Sequence, residues 1–221
     1  RLEHNEAFGN KWIPQLGLAL RPTENFVIKS SFSKGFRNPT IREMFMWAPA
    51  NPDLKPEEVT NYEVVLEHTF FKKKMNIEVS GFIADGDNLI QTQIIDGNPK
   101  NVNTGSFKNK GVEVAFRAAL CSKLDIGGNY SWLYMKIPVL NAPERQLYAN
   151  VNFHTKRWQL NVGYQYINGL YLTTGKETKQ EDYGLLSAKV SFKPWKVLTI
   201  FATGENLTRE KYQIIDGYPM P

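Results

Sequence analysis

The sequence is poor in the features that mark a soluble enzyme or a helical membrane protein. Its 221 residues include one cysteine, Cys121, so no internal disulfide can form. The three histidines, His4, His68 and His154, lie far apart without zinc-ligand spacing, and the residues call for neither a metal nor a cofactor. No run of about 18 apolar residues occurs, so no transmembrane helix is readable. Spanning strands stay open, because each needs only one apolar face. The serines and histidines are scattered, with no spacing that argues for a nucleophile and its base, so catalysis is not expected. A net charge of +5 accompanies no nucleic-acid-binding motif, and no nucleic-acid partner is expected. Most Lys and Arg fall in turns and loops, and the one cationic run, Lys72-Lys73-Lys74, sits at a tight turn. No initiator Met or signal peptide opens the chain at Arg1, and no closing strand precedes Pro221, so the sequence reads as a piece of something longer.

Aromatics and period-two alternation are what the chain has instead. There are thirteen Phe, ten Tyr and five Trp, yet mean hydropathy is negative. Leu16, Leu18 and Leu20 share one face of a strand, and Phe26, Ile28 and Phe32 one face of the next. Tyr62, Val64 and Leu66 oppose Asn61, Glu63 and Glu67, and Val112, Val114 and Phe116 oppose Glu113 and Arg117. The pattern continues to Leu186, Ala188, Val190 and Phe192, and is least clear from Val197 to Gly204. Many segments reach the roughly 9 to 11 residues that a tilted strand needs to cross a bilayer. Strands of soluble domains are nearer 5 to 6.

Connections alternate as well. Short turns fall at Pro22 to Asn25, Phe71 to Lys74, Cys121 to Lys123, Thr155 to Arg157 and Lys193 to Lys196. Longer, polar connections fall at Gly35 to Pro56, Asp85 to Phe107, Ile137 to Gln146 and Gly169 to Asp182. Short turns at one end and long loops at the other are the habit of outer-membrane barrels, with the long loops extracellular. Phe26, Phe70, Phe71, Trp158, Phe192 and Trp195 cluster beside short turns; Trp12, Phe36, Trp132, Tyr134, Tyr164, Tyr166 and Tyr171 are expected towards the long loops, as two interface girdles. The expected fold is all-β: an antiparallel up-and-down transmembrane barrel, here about ten to twelve strands. A passive porin-like channel, a soluble β-rich module and a barrel hydrolase are the competing classes.

Several blocks then carry a family resemblance. Gly35-Phe36-Arg37-Asn38-Pro39-Thr40-Ile41-Arg42-Glu43 runs on to Asn51-Pro52-Asp53-Leu54-Lys55-Pro56-Glu57, followed by Asn61-Tyr62-Glu63. Asn109-Lys110-Gly111-Val112-Glu113 opens a later strand, and Glu205-Asn206-Leu207, Tyr212 and Gly217-Tyr218-Pro219-Met220-Pro221 close the chain. In this order and spacing the blocks resemble the TonB-dependent outer-membrane receptors. The resemblance implies that residues 1–221 are the C-terminal portion of a 22-stranded barrel, with the N-terminal plug and the final strand outside this sequence. It implies location in the outer membrane of a Gram-negative bacterium, contact with its lipid, and energy-dependent uptake of a scarce nutrient such as a ferric siderophore, haem or corrinoid. It also implies coupling to the TonB complex through the plug, and it allows a surface lipoprotein partner.

The loop between the first two blocks holds the candidate ligand-binding residues: Arg37, Arg42, Met44, Phe45, Met46 and Trp47. Arg offers a planar charged fork to an anionic chelate, and Trp47 a face on which a corrinoid can stack. Haem receptors of the family carry a His in this interval; here there is none, which leaves Met44 or Met46 as possible iron ligands. The simpler reading makes Met44 to Trp47 a soft apolar patch against another loop or the plug, with Arg37 and Glu43 paired as a brace.

Overall fold

The computed structural model describes residues 1–174 and 178–220; Pro221 of the closing motif lies outside the described residues, as do residues 175–177 of the last long connection. A hairpin, β1 (Leu2–Asn5) and β2 (Gly9–Trp12), precedes β3 (Gln15–Thr23) and β4 (Phe26–Arg37). A helix, α1 (Ile41–Phe45), leads to β5 (Glu57–Phe70) and β6 (Met75–Asp87). A second hairpin follows, β7 (Ile90–Ile95) and β8 (Asn98–Asn103). Next come β9 (Phe107–Cys121), β10 (Leu124–Met135), β11 (Arg145–His154), β12 (Trp158–Thr173), β13 (Lys179–Trp195) and β14 (Leu198–Gly204). A short hairpin, β15 (Gln213–Ile215) and β16 (Tyr218–Pro219), ends the described chain.

Ten of these strands form one antiparallel sheet in chain order, from β3 at one edge to β14 at the other, with the β7–β8 hairpin set aside between β6 and β9. The shortest strand of the sheet is β14. The others run from 9 residues in β3 to 17 in β13, long enough to span hydrocarbon.

Register turns the alternation into two faces. Leu20 pairs with Ile28, then Leu66, Val79, Val114, Tyr130 and Leu147 follow strand by strand. One residue away, Lys29, Val65, Ser80, Glu113, Ser131 and Gln146 run across the other face. The apolar face is not a core. Leu16 is 73 % and Val64 49 % exposed, and Leu66, Val79, Phe116, Val151 and Ile200 are exposed with them. Aqueous solvent would penalise so large an apolar surface, whereas lipid matches it.

A buried apolar cluster lies on the polar face. Ile167, Leu170 and Tyr183 are buried beneath Tyr212, whose ring centroid stands 4.4 Å from that of Tyr183. The chain after β14 thus folds back across β12 and β13, pinned by Lys179 to Asp216 at 3.1 Å and by the Gln213 N–H donating to Glu181 Oε1 at 3.3 Å.

Three expectations need correction. The Asp85 to Phe107 connection is not plain loop, because β7 and β8 fill it. The Gly35 to Pro56 connection begins later, since β4 runs to Arg37, and it contains α1. The Gly169 to Asp182 connection is mostly strand: β12 reaches Thr173 and β13 starts at Lys179, across register shifts beyond Ile167 and Tyr171. Tyr164 and Tyr166 therefore sit mid-strand and not at a strand end. Tyr164 fills the space over Gly184, where a Cβ would collide with its phenol. The strand expected least clearly, Val197 to Gly204, is present as β14 from Leu198.

Candidate functional site

The connection from Asn38 to Pro56 is built outward from a charge cluster at the tip of β4. Arg37 donates through Nη1 and Nη2 to the Glu43 carboxylate at 2.9 to 3.1 Å and through Nε to Glu57 Oε2 at 2.6 Å. Glu57 opens β5, and its other oxygen accepts the Ile90 N–H at 2.7 Å. One carboxylate therefore ties the strand tips to the β7–β8 hairpin. Thr40 and Glu43 form a capping box on α1, each side chain accepting the other residue's backbone N–H. The expected Arg37–Glu43 brace is present, and Arg37 is committed to it.

Burial pulls the Glu43 carboxyl upward, but hydrogen bonds from Arg37 and Thr40 outweigh it and hold the group below its ordinary 4.5. A folded-state value below the unfolded one gives stability that is complete above that ordinary value and fades as pH falls through the folded one. Acidification below about 4.5 should loosen α1. Protease nicking between Asn38 and Pro56, compared at pH 6 and pH 3.5, reads this. Glu43→Gln should be loosened at both pH values and lose the difference.

The far side of the loop is held by asparagines. The Asn51 amide donates to the Asn101 carbonyl at 2.8 Å, and Asn101 Nδ2 donates to the Glu43 carbonyl at 3.2 Å. The Asn101 N–H reaches the Pro49 carbonyl at 2.6 Å, and Thr92 Oγ1 donates to Asn101 Oδ1 at 2.8 Å. Asn103 exchanges bonds with the Lys55 backbone at 2.9 and 3.0 Å. Asn51 and Asn101 are buried, and Leu54 beside them is 3 % exposed. Trp47 takes a positive φ of 54°, unusual for a bulky residue, in a turn closed by the Ala50 N–H on the Trp47 carbonyl at 2.7 Å.

Between loop and hairpin lies a cavity of about 430 Å³, walled by Arg42, Met46, Trp47 and Pro49 on one side and Ile90, Thr92 and Asn101 on the other. Of the six residues expected from sequence, three meet here: Arg42, Met46 and Trp47. Arg37 lies behind them in the brace. Met44 and Phe45 do not line the cavity. Phe45 is instead 65 % exposed, while Met44 is half-buried. The hairpin wall was missed. Its signal was Asp96-Gly97 after the β-prone run Ile90 to Ile95; both residues take positive φ, as a two-residue hairpin turn demands. A larger hollow, about 550 Å³, is a dent in the apolar face, where Ser30 and Gly81 lie between Tyr62, Val64 and Trp132.

Comparison with known proteins fits this architecture. The profile of the TonB dependent receptor-like, beta-barrel family matches residues 1–207. A vitamin B12 transporter BtuB of Photobacterium profundum is 24 % identical over 99 % of this chain and 37 % of its own length. One of Vibrio cholerae is 25 % identical over the same shares. The chain thus spans little more than a third of the curated relatives it matches. Among solved structures, a ferric enterobactin receptor (PfeA) of Pseudomonas aeruginosa superposes with TM-score 0.79 at 16 % identity, over 95 % of this chain and 37 % of that one. The siderophore receptor PirA of the same organism gives 0.77 at 18 %, over 95 % and 38 %.

Proposed function

This chain belongs to the TonB dependent receptor-like, beta-barrel family, and from that premise we propose that it is the C-terminal portion of the barrel of an outer-membrane receptor that imports a bulky metal chelate. The observation carrying the ligand side is the cavity between loop and hairpin, with a cation, a thioether and an indole on one wall and polar groups on the other. Such walls suit one edge of a large, partly apolar ligand bearing carboxylates or amides. A corrinoid is the first candidate, because the relatives at 24 and 25 % identity are vitamin B12 transporters; a ferric siderophore is the second. Arg42 and Trp47 are the proposed contacts, Met46 a packing contact, and Arg37 the brace behind them. Uptake is energised through a plug and the TonB complex, which lie outside this chain.

The test is a titration of the full-length receptor in detergent with cobalamin, a ferric siderophore and haem, each followed by absorbance and tryptophan fluorescence. One ligand should bind tightly. Trp47→Ala and Arg42→Ala should each weaken it about tenfold or more, as for a central contact, while Met44→Ala leaves it unchanged. Binding indifferent to Arg42 and Trp47 overturns the site. Uptake in cells that survives loss of the proton gradient overturns the energised receptor.

A further inference from the structure

The formal charge is unevenly placed. The five short turns, residues 22–25, 71–74, 121–123, 155–157 and 193–196, contain eight of the 27 Lys and Arg and only one of the 22 acidic residues, Glu24. These turns carry +7, so the rest of the chain is at −2. The sheet brings all five turns to one rim, because its ten strands alternate direction in chain order. Neighbouring turns are bonded to one another. The carbonyl of Lys74 accepts the Ala119 N–H, that of Lys123 the His154 N–H and that of Arg157 the Lys193 N–H, each at 2.8 Å. Successive turns are two strands apart, about 10 Å, close to the screening length of physiological salt. Their cations therefore act on a facing surface as one field. Lys72, Lys73, Lys156, Arg157, Lys193 and Lys196 are all exposed. An aromatic band lies just inside this rim. Trp158 stacks on Phe192 at 4.3 Å and His68 on Phe70 at 4.1 Å, while Trp195 is 67 % exposed. Aromatics followed by cations, outward along the strands, is the order of an acyl boundary followed by a phosphate plane.

We propose that the short-turn rim is a binding surface for anionic glycerophospholipid headgroups in the leaflet it crosses, phosphatidylglycerol being the model ligand. The proposal rests on the reading of this chain as a membrane barrel, and its role is to anchor that end of the barrel at a fixed depth. It is independent of the loop cavity at the opposite end.

The full-length receptor is reconstituted into phosphatidylcholine vesicles in which a minority of lipid is brominated phosphatidylglycerol or, separately, brominated phosphatidylcholine. Bromine quenches tryptophans it touches, and the contribution of Trp158 and Trp195 is isolated by their replacement with Phe. Phosphatidylglycerol should be preferred about threefold or more in low salt, and the preference should vanish in concentrated NaCl. A variant with Lys72→Asn, Lys73→Asn, Lys74→Gln, Lys156→Gln, Arg157→Gln, Lys193→Gln and Lys196→Gln should show no preference; Asn suits the positive φ of Lys72 and Lys73. Its ligand titration reports whether the barrel is intact. The salt series needs no variant. Equal quenching by both lipids overturns the headgroup proposal and leaves the barrel in its membrane. No quenching by either lipid overturns the membrane reading as well.

Discussion

Val114→Arg should destabilise the full-length barrel in lipid by about 2 to 4 kcal/mol, the cost of a guanidinium facing the bilayer midplane. Val114 sits midway along β9, with Val79 and Tyr130 on either side. Seven residues beyond it β9 meets the short turn, and four residues before it Lys110 lies against the Tyr134 ring at 5.2 Å, as a cation does at an interface. The arginine would thus be too deep to reach either headgroup layer without thinning the bilayer. Glu113, its neighbour, faces the other way, in the row of Ser80 and Ser131. Glu113→Gln should stay within about 0.5 kcal/mol. Urea unfolding of both variants in vesicles gives the comparison. Equal, small losses would mean that the apolar face does not meet lipid. A gain at residue 113 with a small loss at 114 would mean that the register is slipped by one residue, which exchanges the faces and puts the carboxylate in lipid.

That comparison also marks how far the sequence was legible. A strand with one face in lipid and one towards water must alternate, so the ten sheet strands and their short turns could be placed from residue type, β14 least clearly. Their outer ends could not. Beyond the hydrocarbon, alternation loses its physical cause, and β12 and β13 run past it on pairs such as Leu170 to Glu181 and Tyr171 to Gln180. There Tyr171 donates to Glu144 Oε1 at 2.6 Å, a contact across elements that no period predicts. Ile167 and Tyr183 stand on the polar face for a related reason, since the returning chain at Tyr212 gives them a local core. Of the candidate site, the chemistry was visible in Arg42, Met46 and Trp47, and the brace in the spacing of Arg37 and Glu43. The partner wall was not. Asn51 and Asn101 are fifty residues apart, and amides look alike in a sequence whether they are solvated or buried.

Asn101→Ala should unlock that wall. The substitution keeps the backbone bonds to Pro49 and Asn51 and removes two from the side chain, to the Glu43 carbonyl and from the Thr92 hydroxyl. The Glu43 carbonyl still accepts the Asn51 N–H at 2.9 Å and the exposed Thr92 hydroxyl can turn to water, so the loss is that of the two side-chain hydrogen bonds themselves. The cost should be about 1 to 3 kcal/mol of local stability. Hydrogen exchange of the Met44, Asn51 and Asn101 amides should then quicken about 5- to 150-fold, while amides in β9 and β10 keep their wild-type rates. Asn51→Ala removes the bond to the Asn101 carbonyl and should act through the same unit, so the double variant should cost less than the sum of the singles. Ligand affinity should fall by less than exchange quickens. Binding is weakened only in proportion to the fraction of molecules whose loop is open, and a loop that starts well closed must lose most of its stability before that fraction matters. Affinity falling as steeply as exchange rises would mean that the free loop is already largely open and that the ligand, rather than the asparagines, closes it. Unchanged exchange would mean that Arg37, Glu43 and Glu57 hold the loop alone.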